Sequence, residues 1–198
     1  LAAESTPSSP YQEPVAVESE TPVPQRVSQE LAEEAFWNKK YAEALQYYRV
    51  LHQLARRDPT AELMADFFCF RIAQCLKFEG ELSLAMENFD AVSASRSPVL
   101  CGVANYELVV LKEYQGDYVQ ARMRAYRSAM AYASVYENSE MEMDADFLIA
   151  RVLTARVLSF YGEKSLIPWS EISYRDPFEG LKDNALRDLL NKESARFS

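Results

Sequence analysis

Apolar residues recur at intervals of three and four positions along most of the chain from Ser28 onward. Residues at that spacing share one face of an α-helix, so each apolar stripe predicts a helix with one buried side. The stripes comprise Leu31, Ala35, Phe36 and Trp37; Tyr41, Leu45, Tyr48 and Leu51; Phe67, Ile72, Ala73 and Leu76; Leu82, Ala85, Phe89 and Val92; Ala104, Leu108 and Leu111; and Tyr118, Ala121, Ala125 and Ser128. No stretch shows the strict alternation that is typical of a strand. The sequence therefore predicts an all-α protein.

Turn signals separate these stripes. Asp58-Pro59 and Ser97-Pro98 each favour the start of a helix, because proline at the first helical position lacks only an amide that would have no intrahelical acceptor. Gly80 and Gly116 lie between stripes, where a tight turn between two helices needs a residue without a side chain. The stripes on either side of each glycine are thus predicted to pair as helical hairpins.

The C-terminal third of the chain contains further helix signals. Ser139 and Glu142 form a capping box, which predicts a helix over residues 141–160. The acidic stretch 137–146 lacks the central glycine and the ligand spacing of a calcium-binding loop, and acidic residues are favoured in the first turn of a helix. After an interruption at Pro168-Trp169, a last apolar stripe predicts an amphipathic helix over residues 178–192.

An internal repeat underlies the pattern. Segments 40–44, 81–85 and 117–121 align in steps of 41 and 36 residues, each with an aromatic residue or leucine second and alanine fifth. With their preceding glycines, the third segment reads Gly-Asp-Tyr-Val-Gln-Ala and the second reads Gly-Glu-Leu-Ser-Leu-Ala. This turn signature and this period resemble the tetratricopeptide-repeat family, whose repeats are about 34 residues long.

The resemblance implies an α-solenoid of about three to three and a half repeats with a C-terminal capping helix. Residues 1–27 are then a disordered, acidic linker rich in Pro, Ser and Thr, residues 28–164 form the repeats, and residues 165–198 form a loop and the last helix. The alternative is an irregular helical bundle that imitates the repeat. In either case the expected role is binding rather than catalysis.

In that family, the first helices of the repeats line an inner groove that holds an extended or helical peptide. The resemblance therefore implies a non-enzymatic interaction module or scaffold for a peptide or protein partner. By position, the residues expected to contact the partner are Phe36, Phe67, Phe70, Gln74, Lys77, Tyr106, Val110 and Glu113. One predicted helix contains three phenylalanines close together, Phe67, Phe68 and Phe70. A helix is not expected to turn all three side chains inward. The alternative is that the C-terminal stretch folds back and covers the groove with Trp169, Ile172, Tyr174 and Phe178.

One subtype of the family is disfavoured. Repeat proteins that grip the C-terminal ends of chaperones use Lys and Asn on these helices to hold two carboxylates. The corresponding positions of the first repeat are Gln29 and Glu33, and Glu33 would repel a carboxylate. A chaperone adaptor of that kind is therefore not expected.

The amino-acid composition argues against several classes of function. The chain has 198 residues, 21 of them basic and 30 acidic, and its formal charge of -9 argues against binding to nucleic acid or to anionic lipid. No run of 18 apolar residues exists, so direct membrane insertion is not expected. Five glycines and a single histidine, His52, leave little material for phosphate-binding loops or acid–base chemistry. We therefore expect no enzymatic activity, cofactor or metal, and a polar, half-buried role for His52.

The three cysteines lie within apolar helical patterns. Cys69 and Cys75 are six positions apart on one predicted helix and face different directions, so they cannot pair with each other. Burial in the core is the expected role of all three. A bridge between Cys75 and Cys101, or a reactive thiol, is the alternative.

The N-terminal leader bears on location. Residues 1–25 hold five of the nine prolines and no basic residue. Acidic, proline-rich leaders of this kind resemble those of tetratricopeptide proteins in bacterial cell-envelope assembly, which predicts an extracytoplasmic, periplasmic location; a cytoplasmic location is the alternative. A self-oligomerising structural domain, or the N-terminal adaptor of a larger protein, is the alternative function.

Overall fold

The computed structural model describes residues 27–136 and 176–192. These residues form seven α-helices: α1 Gln29–Trp37, α2 Tyr41–Ala55, α3 Glu62–Phe78, α4 Leu82–Val92, α5 Pro98–Tyr114, α6 Tyr118–Tyr136 and α7 Asp183–Leu190. A short 3-10 helix, Pro59–Ala61, precedes α3. No strand occurs in the described ranges, so the prediction of an all-α chain is confirmed there.

Several predictions of the sequence concern other parts of the chain. The leader up to residue 26, the acidic stretch 137–146 and the helix over 141–160 lie outside the described residues, as do Trp169, Ile172 and Tyr174. The last part of the predicted repeats, residues 137–164, lies outside them as well.

The first six helices form three successive hairpins. Links of three residues join α1 to α2, α3 to α4 and α5 to α6, and each helix packs against the next one in the chain. Such short links require the two helices of a hairpin to run antiparallel. Both predicted helix starts at proline are confirmed. The 3-10 helix begins at Pro59 and is capped by Asp58, whose side chain accepts a 2.9 Å hydrogen bond from the amide of Thr60, and α5 begins at Pro98.

The three hairpin turns share one backbone geometry. Lys39, Gly80 and Gly116 occupy the same place in each turn, with φ angles of 61°, 87° and 78°. In each case the amide of the next residue donates a 2.9 Å hydrogen bond to a carbonyl five positions earlier; the pairs are Lys40 to Ala35, Glu81 to Leu76 and Asp117 to Lys112. This is the Schellman arrangement that ends a helix with a residue in the left-handed region. The turns thus repeat at the spacing found in the sequence.

Small residues let the two helices of each hairpin approach. Ala44, Ala85 and Ala121 stand at the same position of the second helices, and all three are buried. Tyr48 and Phe89 fill the space next to the first two hairpins, whereas the third has the smaller Ala125. Sequence and structure therefore agree on both the period and the roles of the repeated positions.

The middle helices form the centre of the core. Eleven of the seventeen residues of α3 and twelve of the seventeen of α5 are buried. The expectation that Phe67, Phe68 and Phe70 cannot all turn inward is wrong, because α3 has neighbours on several sides. The Phe68 ring lies 6.4 Å from that of Tyr48 on α2, and the Phe70 ring lies 5.6 Å from that of Phe89 on α4.

The last helix begins later than predicted. The sequence pattern placed its start at residue 178, but α7 starts at Asp183, because residues 177–180 form a turn that ends with Gly180 at a φ of +72°. Phe178 therefore belongs to the turn, and Leu186 and Leu190 form the buried side of the helix. Within the described ranges, none of the helices combines the length and the apolar character needed to cross a lipid bilayer.

Lys39 offers a test of the repeated turn. The substitution Lys39→Gly should raise the free energy of unfolding by about 0.5–1 kcal/mol, because glycine adopts a positive φ without the steric cost of a Cβ. Denaturation in urea measures the change. Lys39→Ala is the matched control, since it removes the same charge but keeps the Cβ; equal stabilisation by both substitutions would contradict the conformational explanation.

Candidate functional site

A buried arginine lies at the meeting point of the first and second hairpins and the C-terminal residues. The Arg71 side chain on α3 has no exposed surface. Its Nε and Nη2 atoms each donate a 2.9 Å hydrogen bond to a carboxylate oxygen of Glu33 on α1, and its Nη1 donates to Oε1 of Gln74 at 2.8 Å. The paired contact with Glu33 is the two-point geometry that suits a guanidinium and a carboxylate.

The C-terminal segment, residues 176–192, supplies a second carboxylate to this arginine. Asp176 Oδ2 accepts a hydrogen bond from Arg71 Nη1 at 2.6 Å, across 105 positions of the chain. Its other oxygen, Oδ1, accepts from the amide of Phe178 at 2.9 Å. One carboxylate thus both anchors the segment to α3 and shapes the turn that follows.

Aromatic rings surround the guanidinium. The Arg71 Cζ atom lies 4.6 Å from the centroid of the Phe36 ring, 5.2 Å from that of Phe67 and 5.8 Å from that of Phe178. Phe178 is 2% exposed and also makes edge contacts with Phe67 and Phe70, at centroid distances of 5.2 and 5.7 Å. Contacts between a cation and ring faces offset part of the cost of removing the charge from water. We call Glu33, Phe36, Phe67, Phe70, Arg71 and Gln74 the Arg71 pocket.

Hydrogen bonds connect the pocket to the third hairpin. Gln74 Nε2 lies 3.4 Å from Oε1 of Glu107 on α5, and the other oxygen of Glu107 accepts from Lys77 Nζ at 2.7 Å. On the opposite side, the Tyr48 hydroxyl donates to Glu33 at 2.6 Å. A single polar network therefore joins α1, α2, α3, α5 and the C-terminal segment.

The network stabilises the charged form of Arg71. Burial alone disfavours the charge, but the carboxylates of Asp176 and Glu33 outweigh it and raise the pKa of the guanidinium above its ordinary value. Burial also raises the pKa of Tyr48, and its hydrogen bond to Glu33 acts in the same direction. Arg71 therefore remains charged in the interior, next to the carboxylates that balance its charge.

The predicted partner-binding residues take several places around this pocket. Phe36, Phe67 and Gln74 contact Arg71, and Phe70 contacts Phe178. Lys77 is connected through Glu107. Tyr106 is buried on α5, whereas Val110 and Glu113 are half-buried on the same helix. Of the residues that were named as a possible cover, Phe178 is described, and it does lie on Phe67 and Phe70.

Sequence reasoning missed Arg71. It expected Glu33 to repel a carboxylate, yet the structure places Arg71 against Glu33, and the same guanidinium holds the carboxylate of Asp176. The available signal was a basic residue inside the apolar run Phe70-Arg71-Ile72-Ala73, because a buried charge must find partners. Nothing in the sequence pattern identified those partners.

A second cleft lies on the other side of α3, between α2 and α4. It has a volume of about 650 Å³, and His52, Asp66, Cys69 and Asn88 are among the residues that line it. Burial lowers the pKa of His52, with Arg56 acting in the same direction, and burial raises the pKa of Asp66. Burial also raises the pKa of Cys69 to about 11, so its thiol is protonated at neutral pH. All three shifts favour the neutral forms, which disfavours an imidazolium–thiolate pair.

The cysteines are all free thiols. Cys75 is buried, and burial raises its pKa to about 12; Cys69 and Cys101 are half-buried. Among the described residues, no group of three or more His, Cys, Asp or Glu side chains is arranged to hold a metal ion.

Comparison with protein-family models, with curated proteins and with solved structures found no match to this chain. The tetratricopeptide resemblance accordingly rests on the residues quoted above and on the geometry of the hairpins.

The Arg71 network should contribute strongly to stability. Arg71→Met removes the cation that faces two carboxylates, and we expect the free energy of unfolding to fall by about 3–5 kcal/mol, the usual cost of removing one member of a buried ion network. Chemical denaturation at pH 7 measures the loss. The control is Arg187→Met on the exposed side of α7, which should have little effect; losses of the same size would show that the buried network is not the cause.

The single histidine allows a direct test of the second cleft. We expect the C2 proton of His52, followed by NMR, to titrate below pH 6.5, because burial and Arg56 favour neutral imidazole. Folding therefore stabilises the neutral form, and this contribution is lost as the pH falls from about 6.5 through the lower folded-state pKa. Arg56→Gln should raise the midpoint and Asp66→Asn should lower it. A midpoint at or above 6.5 in the native chain would contradict the assignment.

Proposed function

We propose that this protein is a non-enzymatic interaction module of the tetratricopeptide-repeat type, which binds an extended segment of a peptide or protein partner on the face formed by α1, α3 and α5. The observation that carries the proposal is the contact of this face with residues 176–180 of its own chain. That stretch is not helical, and it is held by side chains of α3 rather than by the continuation of a helix pair. A surface with those properties is suited to binding an extended peptide.

The repeated turns support the family assignment. Lys39, Gly80 and Gly116 share a left-handed geometry and the same hydrogen bond, and small alanines follow five positions later in each second helix. An irregular bundle has no reason to repeat these features in register. The acidic, proline-rich leader supports an extracytoplasmic setting, such as assembly of a bacterial cell envelope.

A second candidate function is self-assembly through α6. Val119, Met123, Tyr126 and Met130 are spaced by four, three and four positions, which places them on one face of the helix, and each is 40–57% exposed. A continuous apolar stripe of this kind is typical of a protein–protein contact. This surface is separate from the Arg71 pocket in sequence, so substitutions can distinguish the two functions.

The test compares two matched substitutions in the full chain. Val110→Arg places a charge on the predicted partner-binding residue of α5, and Val119→Arg places the same charge on the α6 stripe. With each protein as bait in a lysate of its native source, crosslinked peptides are mapped by mass spectrometry, and the mass of the purified protein is measured by light scattering. We expect Val110→Arg to reduce crosslinks from a dominant partner to the α1, α3 and α5 face several-fold, and Val119→Arg to leave them unchanged.

The opposite pattern identifies the second function. If crosslinks form only between copies of the bait, and Val119→Arg converts an oligomer to a monomer, the module assembles with itself and the partner-binding proposal is wrong. Thermal unfolding followed by circular dichroism verifies that both variants remain folded. Phe70 and Tyr106 are less suitable for substitution, because both rings are buried and their loss would affect the core.

A further inference from the structure

The C-terminal segment contacts the Arg71 pocket through two side chains of different chemistry, the carboxylate of Asp176 and the ring of Phe178. We propose that Asp176-Pro177-Phe178 occupies the place of a partner segment, and that the partner presents the same pattern: an acidic residue, followed two positions later by an aromatic residue. This inference rests on the proposed function and names the chemistry of the partner.

The acidic residue is specified by Arg71. The guanidinium carries five N–H donors, of which Glu33 receives two and Gln74 one, and Asp176 is the acceptor that reaches it from outside the hairpins. Glu33 comes from α1 and Gln74 from α3 itself, so both belong to the pocket whether or not the segment is bound. An incoming carboxylate is therefore the group that the remaining donor capacity is arranged to bind.

The aromatic residue is specified by the rings next to the arginine. Phe67 and Phe70 meet Phe178 edge to face, with interplanar angles of 76° and 70°. The Arg71 guanidinium lies beside the same ring. These neighbours favour an aromatic side chain over a branched aliphatic one. The quadrupole of an aromatic ring at this place interacts both with the neighbouring rings and with the cation.

The shape of the tripeptide is local, so a short peptide can carry it. The amide of Glu179 donates to the carbonyl of Asp176 at 3.1 Å, which closes a turn with Asp at the first position and Pro at the second. Both residues are preferred there, because the aspartate side chain accepts a nearby amide and proline fixes its own φ. A partner with this pattern would enter the pocket with little loss of conformational freedom.

Charge balance makes the occupant exchangeable. Without Asp176, the charged side chains of the network are Glu33, Arg71, Lys77 and Glu107, whose formal charges cancel. Asp176 adds one negative charge to a network that is already balanced. The pocket can therefore release its own segment without leaving a net charge behind, which is the property that an internal competitor of a partner needs.

Competition by a short peptide tests the inference. The probe is a fluorescein-labelled peptide with the sequence of residues 174–182 and blocked ends, and binding is followed by anisotropy. The protein is the full chain, either native or with Asp176→Ala and Phe178→Ala combined to vacate the pocket. We expect the vacated chain to bind the probe at least about tenfold more tightly than the native chain, because an internal competitor lowers the apparent affinity of the native pocket.

Changes in the peptide and one change in the protein provide the controls. Peptides with Asp176→Asn or Phe178→Ala should bind the vacated chain at least tenfold more weakly, and a peptide with Glu179→Gln should bind as the parent does. The control protein, Asp183→Ala, loses a carboxylate of the same segment that does not contact Arg71, and should behave as the native chain. If the double variant does not fold, Phe178→Leu replaces it, since leucine fills much of the volume without the ring contacts.

Two results would overturn the inference. One is a folded, vacated chain that does not bind the probe, and the other is binding that is insensitive to loss of the peptide carboxylate. Either result leaves the proposed function standing if capture of a partner still depends on Val110. A different result is possible, in which the peptides bind with the expected order of affinities but crosslinking of a partner does not depend on Val110. In that case the Arg71 pocket binds the motif, and the assignment of the partner to the wider face of α1, α3 and α5 is wrong.

Discussion

Removal of the Arg71 guanidinium from water is the constraint on which the arrangement of this protein depends. An isolated charge in the interior is very unfavourable, so it is tolerated only where several partners surround it. Here those partners come from distant parts of the chain: Glu33 is 38 positions away and Asp176 is 105 positions away. Because Glu33 and Asp176 bond to the same guanidinium, α1, α3 and the C-terminal segment are held in one relative arrangement while the segment is bound. Phe36, Phe67 and Phe178 then pack around the charge that the carboxylates have neutralised.

The repeat explains how such a network arises between similar units. When the hairpins are aligned on Lys39, Gly80 and Gly116, Arg71 corresponds to Glu30 in the first unit and to Glu107 in the third. Gln74 corresponds in the same way to Glu33 and Val110. The first unit carries an acid at both positions, and the second carries a base and an amide. The bonds between units run from Arg71 to Glu33 of the first unit and from Gln74 to Glu107 of the third. The repeat places equivalent residues on the first helix of each unit, and the residue differences between units allow hydrogen bonds and ion pairs to form between them.

The parts of the fold that depend on local interactions could be predicted from the sequence. The helices, the proline starts at residues 59 and 98 and the turns at Gly80 and Gly116 follow from residues within a few positions of one another. Lys39 was harder to recognise, because it adopts the glycine conformation without being glycine. The start of α7 was placed too early, since the apolar stripe extends across a turn that Asp176 and Pro177 impose.

The ring and amide residues of the site were predictable, but its charged residues were not, for a different physical reason. The resemblance to the repeat family pointed to Phe36, Phe67, Phe70 and Gln74, because it indicates which positions of the first helices share the inner face. Arg71 was not among them, since a charge within an apolar stripe is normally assigned to solvent, and its true environment depends on Glu33 and Asp176. An ion pair between residues about a hundred positions apart, such as Arg71 and Asp176, produces no periodic pattern that a single sequence could reveal.

The structural role of the C-terminal segment is compatible with its proposed exchange for a partner segment, for an energetic reason. Asp176 and Phe178 each make few contacts, but both make them with Arg71, so their contributions are gained or lost together. Such a coupled contact is strong while the segment is attached to the same chain, because its local concentration is high. In the proposed exchange, it is weak compared with that of a second segment that has the same carboxylate and ring and also contacts the half-buried Val110 and Glu113 on α5. A partner would therefore gain selectivity from α5 and the capacity to displace the segment from Arg71.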